Sequence, residues 1–199
     1  LFKAGEIYGK IKDWQSVTRV NQIFTSKFGS DQDRIIQALC MGGVALYMQS
    51  READAIKQLE KAAMTFEKMK DPSSVNAYYA AKAIFTIGEI YHGQMSKINL
   101  SSQHSIYRKQ LDQKSSLMDK AIESYSKVIK FSILEWTTRS VFQIGQIYED
   151  FGVSIFRQQR PSFKSLEERM SLELGIAKAV EKYFVENAIY YHELNVKLG

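Results

Sequence analysis

The sequence predicts an all-α fold, a right-handed α-solenoid of about nine helices with no strand. Three observations carry this expectation. The 199 residues include only two prolines, Pro72 and Pro161, so long stretches are free of the strongest helix breaker. Good helix formers are plentiful, and no alternating segment bounded by Asn-Gly or Asp-Gly signals a hairpin. Finally, one phrase recurs: FTIGEIY at 85–91 and FQIGQIY at 142–148 share five of seven positions, with fainter echoes in AGEIY at 4–8 and MGGVALY at 41–47. A repeat of two helices per unit explains such recurrence economically.

Each element follows from its own residues. Gly5, Gly43, Gly88 and Gly145 lie 38, 45 and 57 residues apart, each on a helical pattern. Ile84, Ile87, Gly88 and Tyr91 recur at i, i+3, i+4 and i+7, as do Val141, Ile144, Gly145 and Tyr148. A glycine inside a helix costs about 1 kcal/mol against alanine. Gly88 and Gly145 are therefore expected to admit a second helix at close approach. The second helix has its own face: Ala55, Leu59 and Ala62 after Gly43, Ala121, Tyr125 and Val128 after Gly88, and the weaker Val17, Asn21 and Phe24 after Gly5. Asp71-Pro72 reads as a capping acid before a first-turn proline. Ser101-Ser102 reads as a start, followed by an apolar stripe of Ile106, Tyr107, Leu111 and Met118 that runs into the consensus helix. Trp14 and Trp136 open helices and are expected to pack. The helix of Tyr148 continues toward Pro161, after which Ser165 to Glu168 forms a capping box. The expected helices are 2–11, 13–28, 32–49, 51–69, 72–94, 101–131, 133–158, 163–173 and 175–197. They form one domain, 1–199, in units of about 1–30, 32–69, 72–131, 133–173 and 175–197. The chain begins at Leu1 inside a helical pattern, which reads as an internal cut of a longer protein.

Composition narrows the function classes. Net charge is +5, from 27 basic and 22 acidic residues spread along the chain, and no basic stripe interleaved with aromatics points to nucleic acid. Cys40 is the sole cysteine, so no intrachain disulfide forms, and a small buried hydrophobe is the expected role. The apolar runs are too short to span a bilayer, so no membrane insertion is expected. The three histidines, His92, His104 and His192, form no His-Glu-x-x-His run, and one cysteine cannot build a sulfur zinc site. There is no phosphate loop and no nucleophile elbow. The expectation is a non-enzyme with no catalytic residues, metal site or cofactor.

The pattern L-x-x-[LIV]-G-x-x-Y followed by A-x-x-x-[FYL]-x-x-A resembles that of the tetratricopeptide repeat. Leu39, Gly43, Ala55, Leu59 and Ala62 match it in the second unit. Ile84, Gly88, Tyr91, Ala121 and Tyr125 match in the third, Val141, Gly145 and Tyr148 in the fourth, and Ala179 with Tyr183 looks like a later second helix. The family expects 12 residues from the glycine to the second-helix alanine; Gly88 to Ala121 is 33, which leaves 21 extra within 92–118. The elongated pairs resemble tetratricopeptide proteins of the bacterial cell envelope, which would imply a periplasmic or envelope location.

The resemblance implies a concave face lined by the first helix of each pair, suited to an extended peptide or a partner helix. Carried over by position, the groove would hold Gln37, Cys40, Val44, Tyr47 and Met48 in the second unit. The third would supply Lys82, Phe85, Glu89 and His92, and the fourth Arg139, Phe142, Gln146 and Glu149, with Phe85 and Phe142 as exposed anchors. The expected function is a non-enzymatic scaffold that binds another protein or peptide there. The alternative is an assembly module that stacks on further repeats or self-associates as a homodimer.

Overall fold

The computed structural model describes residues 1–31, 34–157 and 165–198. Among them the fold is all helical, without a strand. The elements are α1 (Phe2–Lys10), α2 (Trp14–Lys27), α3 (Ile35–Met48), α4 (Glu52–Glu67), α5 (Ser74–Ser96), α6 (His104–Ile129) and α7 (Leu134–Arg157). The eighth helix, α8, runs Leu166–Val180, widens into a π-helical stretch over Glu181–Ala188 and returns to α geometry over Ile189–Leu198. The two helices expected at 163–173 and 175–197 are therefore one. Gly175 makes no break, and a side chain there would meet open space. The expected starts at 32 and 163, the end at 158 and the Pro161 loop fall outside the described residues.

The helix ends follow local chemistry. Asp13 caps α2 by accepting a bond from the Ser16 backbone N–H at 3.1 Å. Ser165 caps α8 through the Glu168 N–H at 3.2 Å, as its capping box requires. Helix α5 starts two residues later than expected. Its cap is Ser73, whose hydroxyl accepts from the Asn76 N–H at 3.2 Å, and Asp71-Pro72 stays in the approach.

The chain divides into two compact units, one of Leu1–Ile90 with Lys130–Trp136, the other of Tyr91–Ile129 with Thr137–Gly199. In the first, α1 packs on α2, α2 on α3, α3 on α4, and α1 also touches α3. A 38-residue period is written into its backbone. Lys12 and Ser50, the turn residues between paired helices, both take left-handed φ, 59° and 60°. A β-carbon on Gly43 would stand 2.6 Å from the Leu59 side chain; on Gly5, 38 residues earlier, it would stand 3.4 Å from Asn21, which is 38 residues before Leu59. Val17, Asn21 and Phe24 are buried, and so are Ala55, Leu59 and Ala62. Gln49 sews α3 to α2, its amide nitrogen 2.8 Å from the Thr18 hydroxyl and 3.1 Å from the Trp14 carbonyl. Trp136 is buried against Tyr78 and Phe85, ring centroids 5.3 and 5.2 Å away, and so packs as expected.

In the second unit, residues 104–118 are the first part of α6. Tyr107, Met118, Ala121, Tyr125 and Val128 of α6 are buried, while Ile106, expected on the same stripe, is exposed. The stripe contains a residue no apolar pattern reveals. Lys114 is only 3% exposed, and its ammonium donates to the carbonyls of Met95 at 2.9 Å and Ile98 at 3.3 Å. It thereby ties α6 to the last turn of α5 and to the backbone that follows it.

Helix α8 packs antiparallel along α7 through aromatics. Tyr148 stacks between Tyr183 and Tyr191 at 6.3 and 5.8 Å, and Phe151 meets the edge of Tyr183 at 4.9 Å. In an α-helix, residues eight apart point about 80° away from each other. The wider π turn of about 4.4 residues brings Tyr183 and Tyr191 back to one side. Gly145 is a packing glycine, as expected, but its neighbour is the His192 ring, 2.9 Å from where a β-carbon would sit, and not Tyr183.

Candidate functional site

The three first helices of the first unit line a groove of about 570 Å³. Helix α1 supplies Glu6, Gly9 and Lys10, at i, i+3 and i+4 of one face. Helix α3 supplies Gln37, Met41 and Val44, at i, i+4 and i+7, and α5 supplies Tyr79 and Lys82. Trp14 and Val17 of α2 close one end. Two aromatic rings and three aliphatic side chains thus make the walls, with one acid and two lysines among them.

Polar groups in the groove are partly tied to each other. The Gln37 amide donates to Glu6 Oε1 at 3.4 Å. Burial raises the Tyr79 phenol above its ordinary pKa, Cys40 and Glu6 add to the shift, and a hydrogen bond with Gln37 opposes it. Cys40 lies behind the groove wall, fully buried, and burial pushes its thiol up to about 12 against a smaller opposing pull from Lys82. It is the inert buried hydrophobe expected from the sequence and not a groove residue.

The residues expected to bind a partner therefore separate. Gln37, Val44 and Lys82 line the groove. Tyr47 is half-buried and Met48 exposed further along α3, and Glu89 is half-buried on α5; none lines it. Phe85 is a correction: it is 4% exposed, packed on Trp136, and cannot anchor a ligand. Phe142, at the matching position of the next repeat, is 43% exposed. Phe85 packs against the indole of Trp136, whereas Phe142 has the His192 ring beside it, at 5.8 Å.

His92, Gln146 and Glu149 meet in the second unit, in a cluster organised by Asp150 and His192, neither of which was expected among the binding residues. Asp150 Oδ2 is 2.8 Å from His92 Nε2, and Asp150 Oδ1 accepts from the Gln146 amide at 3.2 Å. Glu149 Oε2 lies 3.4 Å from His192 Nε2. Burial works to raise the Asp150 pKa, but the bonds from His92 and Gln146, with the nearby positive charges of His92 and Lys114, hold it below the ordinary carboxylate value. Arg139 is exposed on the same helix. Every Asp150 oxygen is already bonded, so this cluster reads as a tie between helices. Among the described residues, no group of three or more His, Cys, Asp or Glu side chains is placed to hold a metal ion. No helix there is long and apolar enough to cross a membrane.

The groove residues missed from the sequence are Glu6, Gly9, Lys10, Trp14, Val17, Met41 and Tyr79. The signal was present for one. Glu6 and Val44 both follow their repeat glycine by one residue, just as Gln37 and Lys82 both precede theirs by six. Trp14 opens its helix as expected but is half-buried and faces the groove as well.

No protein-family model matches the chain, and no curated protein matches it.

Proposed function

We propose that the helix pairs are degenerate tetratricopeptide-like repeats, stacked as a right-handed solenoid. On this reading the first unit binds an extended segment of another protein between α1, α3 and α5. The observation that carries it is the groove itself, lined by three successive first helices, with Glu6 and Val44 at one equivalent position and Gln37 and Lys82 at another. The 38-residue period of turn φ angles, glycine contacts and buried second-helix faces supports the repeat.

The lining suits a peptide better than a reacting substrate. Trp14, Val17, Met41, Val44 and Tyr79 offer a surface for one or two apolar side chains. On this reading Glu6, Lys10 and Lys82 select charge beside the anchor.

Selection from a random displayed-peptide library tests this. Peptides enriched on the native protein are expected to share an apolar anchor, and to lose at least tenfold in affinity against Val44→Arg and Lys82→Glu at unchanged melting temperature. Failure to enrich any family of peptides, or equal binding to both variants, overturns the reading.

A further inference from the structure

Gly9 is a glycine for no reason internal to the fold. It lies within α1, and no glycine among the described residues takes a positive φ, so the backbone does not require it. Nothing packs where its side chain would stand. A β-carbon there would meet no atom within 4 Å, whereas at Gly43 and Gly145 it would meet a neighbour at 2.6 and 2.9 Å. Such a glycine weakens its helix with no return in packing. Gly175 also faces open space, but it is exposed; Gly9 is half-buried and lines the groove. The repeat shows what is missing. The 38-residue period that pairs Gly5 with Gly43 and Glu6 with Val44 pairs Gly9 with Tyr47. At the same distance after their repeat glycines, the third and fourth units carry His92 and Glu149. Of the four units, the first alone leaves this position without a side chain, and there the groove opens. Glu6, Gly9 and Lys10 share one face of α1, so the space left at Gly9 adjoins the groove.

We propose that Gly9 is the seat for the anchor of the bound segment, and that this anchor is an aromatic side chain. The assignment rests on the reading of the groove as a peptide site and deepens it. Backbone bared at Gly9 lets a flat ring approach α1 more closely than any side chain there would permit. The walls suit a ring as well: Trp14 and Tyr79 are aromatic, and Met41 brings a polarizable sulfur. Charge complementarity describes the rest of the segment. The Glu6 carboxylate already accepts from the Gln37 amide. Among the described residues no carboxylate pairs with Lys10 or Lys82. The groove therefore has positive charge to spare, and the residues beside the anchor are expected to include an acid.

Two substitutions test the seat. With nothing packed at this position, Gly9→Ala is expected to raise the melting temperature by up to about 4 °C. A fall assigns the glycine to packing and overturns the proposal. Peptides enriched on the native chain from the random displayed library are expected to carry Phe, Tyr or Trp at the anchor. The tightest of them is then synthesised in two forms, with Phe and with Val at that position. Against Gly9→Leu the Phe form is expected to lose at least about tenfold in affinity and the Val form less than about threefold, so that the preference for the ring disappears. Enriched peptides with aliphatic anchors overturn the seat, and so does a Phe form that binds Gly9→Leu as it binds the native chain. Where Val44→Arg and Lys82→Glu still weaken those peptides, the groove reading stands and the seat alone fails. A library from which no family of peptides is enriched removes the groove reading and the seat together.

Discussion

Gly5 and Gly43 occupy the same place in successive repeats, yet substitution at the two is expected to act in opposite directions. A β-carbon at Gly43 meets Leu59, fully buried, with the Leu59 backbone nitrogen 3.3 Å behind it. Gly43→Ala is therefore expected to lower stability by about 1–3 kcal/mol through overpacking. At Gly5 the nearest atom is the Asn21 amide nitrogen at an ordinary 3.4 Å. Gly5→Ala is expected to raise stability by up to about 1 kcal/mol through helix propensity. Urea midpoints at constant slope separate the two outcomes. Cys40 gives a second test at this scale. Its thiol is buried and titrates only near 12, so a thiol reagent at neutral pH should leave the native chain unlabelled and label it fully in denaturant. Rapid labelling of the native chain would contradict the burial.

At the scale of elements, Lys114 of α6 is bonded to the backbone at and just beyond the end of α5. Lys114→Met keeps the apolar stem but removes both bonds to the α5 carbonyls. The expected loss is about 1–3 kcal/mol, read as a lower melting temperature. Trypsin should cut at exposed Lys97, in the connection before α6, well before it cuts at Arg108 or Lys109 within the helix. The tie between α5 and α7 is pH-dependent. Asp150 titrates below its ordinary 3.8 in the folded chain, so its contribution is complete above that value. It is lost as pH falls through the lowered folded value, because protonation ends its bond with the positively charged form of His92. Asp150→Asn should therefore flatten the decline of stability below about pH 4, and an unaltered acid limb would assign that decline to other carboxylates.

At the scale of the molecule, helix content and boundaries were legible in the sequence, and site membership was only partly so. Helix periodicity and scarcity of proline place seven helices within about three residues of their observed ends, because both are properties of the local chain. Ser165 with Glu168 identified the start of α8 for the same reason. The position of a glycine in a repeat told which face packs, since Gly43 and Gly145 each admit a neighbour. It did not tell which residue the neighbour presents: Leu59 in one case, the His192 ring in the other.

What the sequence by itself determined is the set of faces: Val17, Asn21 and Phe24, Ala55, Leu59 and Ala62, and Ala121, Tyr125 and Val128 are inward, and of the places where the pattern was read only the last, Ala179 with Tyr183, is half-buried. Inwardness follows from spacing along one helix. The tertiary structure alone decided which of the outward residues are covered by something distant in the chain. Phe85 and Phe142 have the same local spacing, and one of them is core, packed on Trp136, 51 residues beyond it in the chain. The continuity of α8 was likewise a tertiary decision. Gly175 weakens a helix locally, but stacking of Tyr148 between Tyr183 and Tyr191 holds the helix that follows it. A local cost of about 1 kcal/mol yields to such packing, because the three half-buried rings together make two stacked pairs worth about 0.5–1.5 kcal/mol each beyond their area burial.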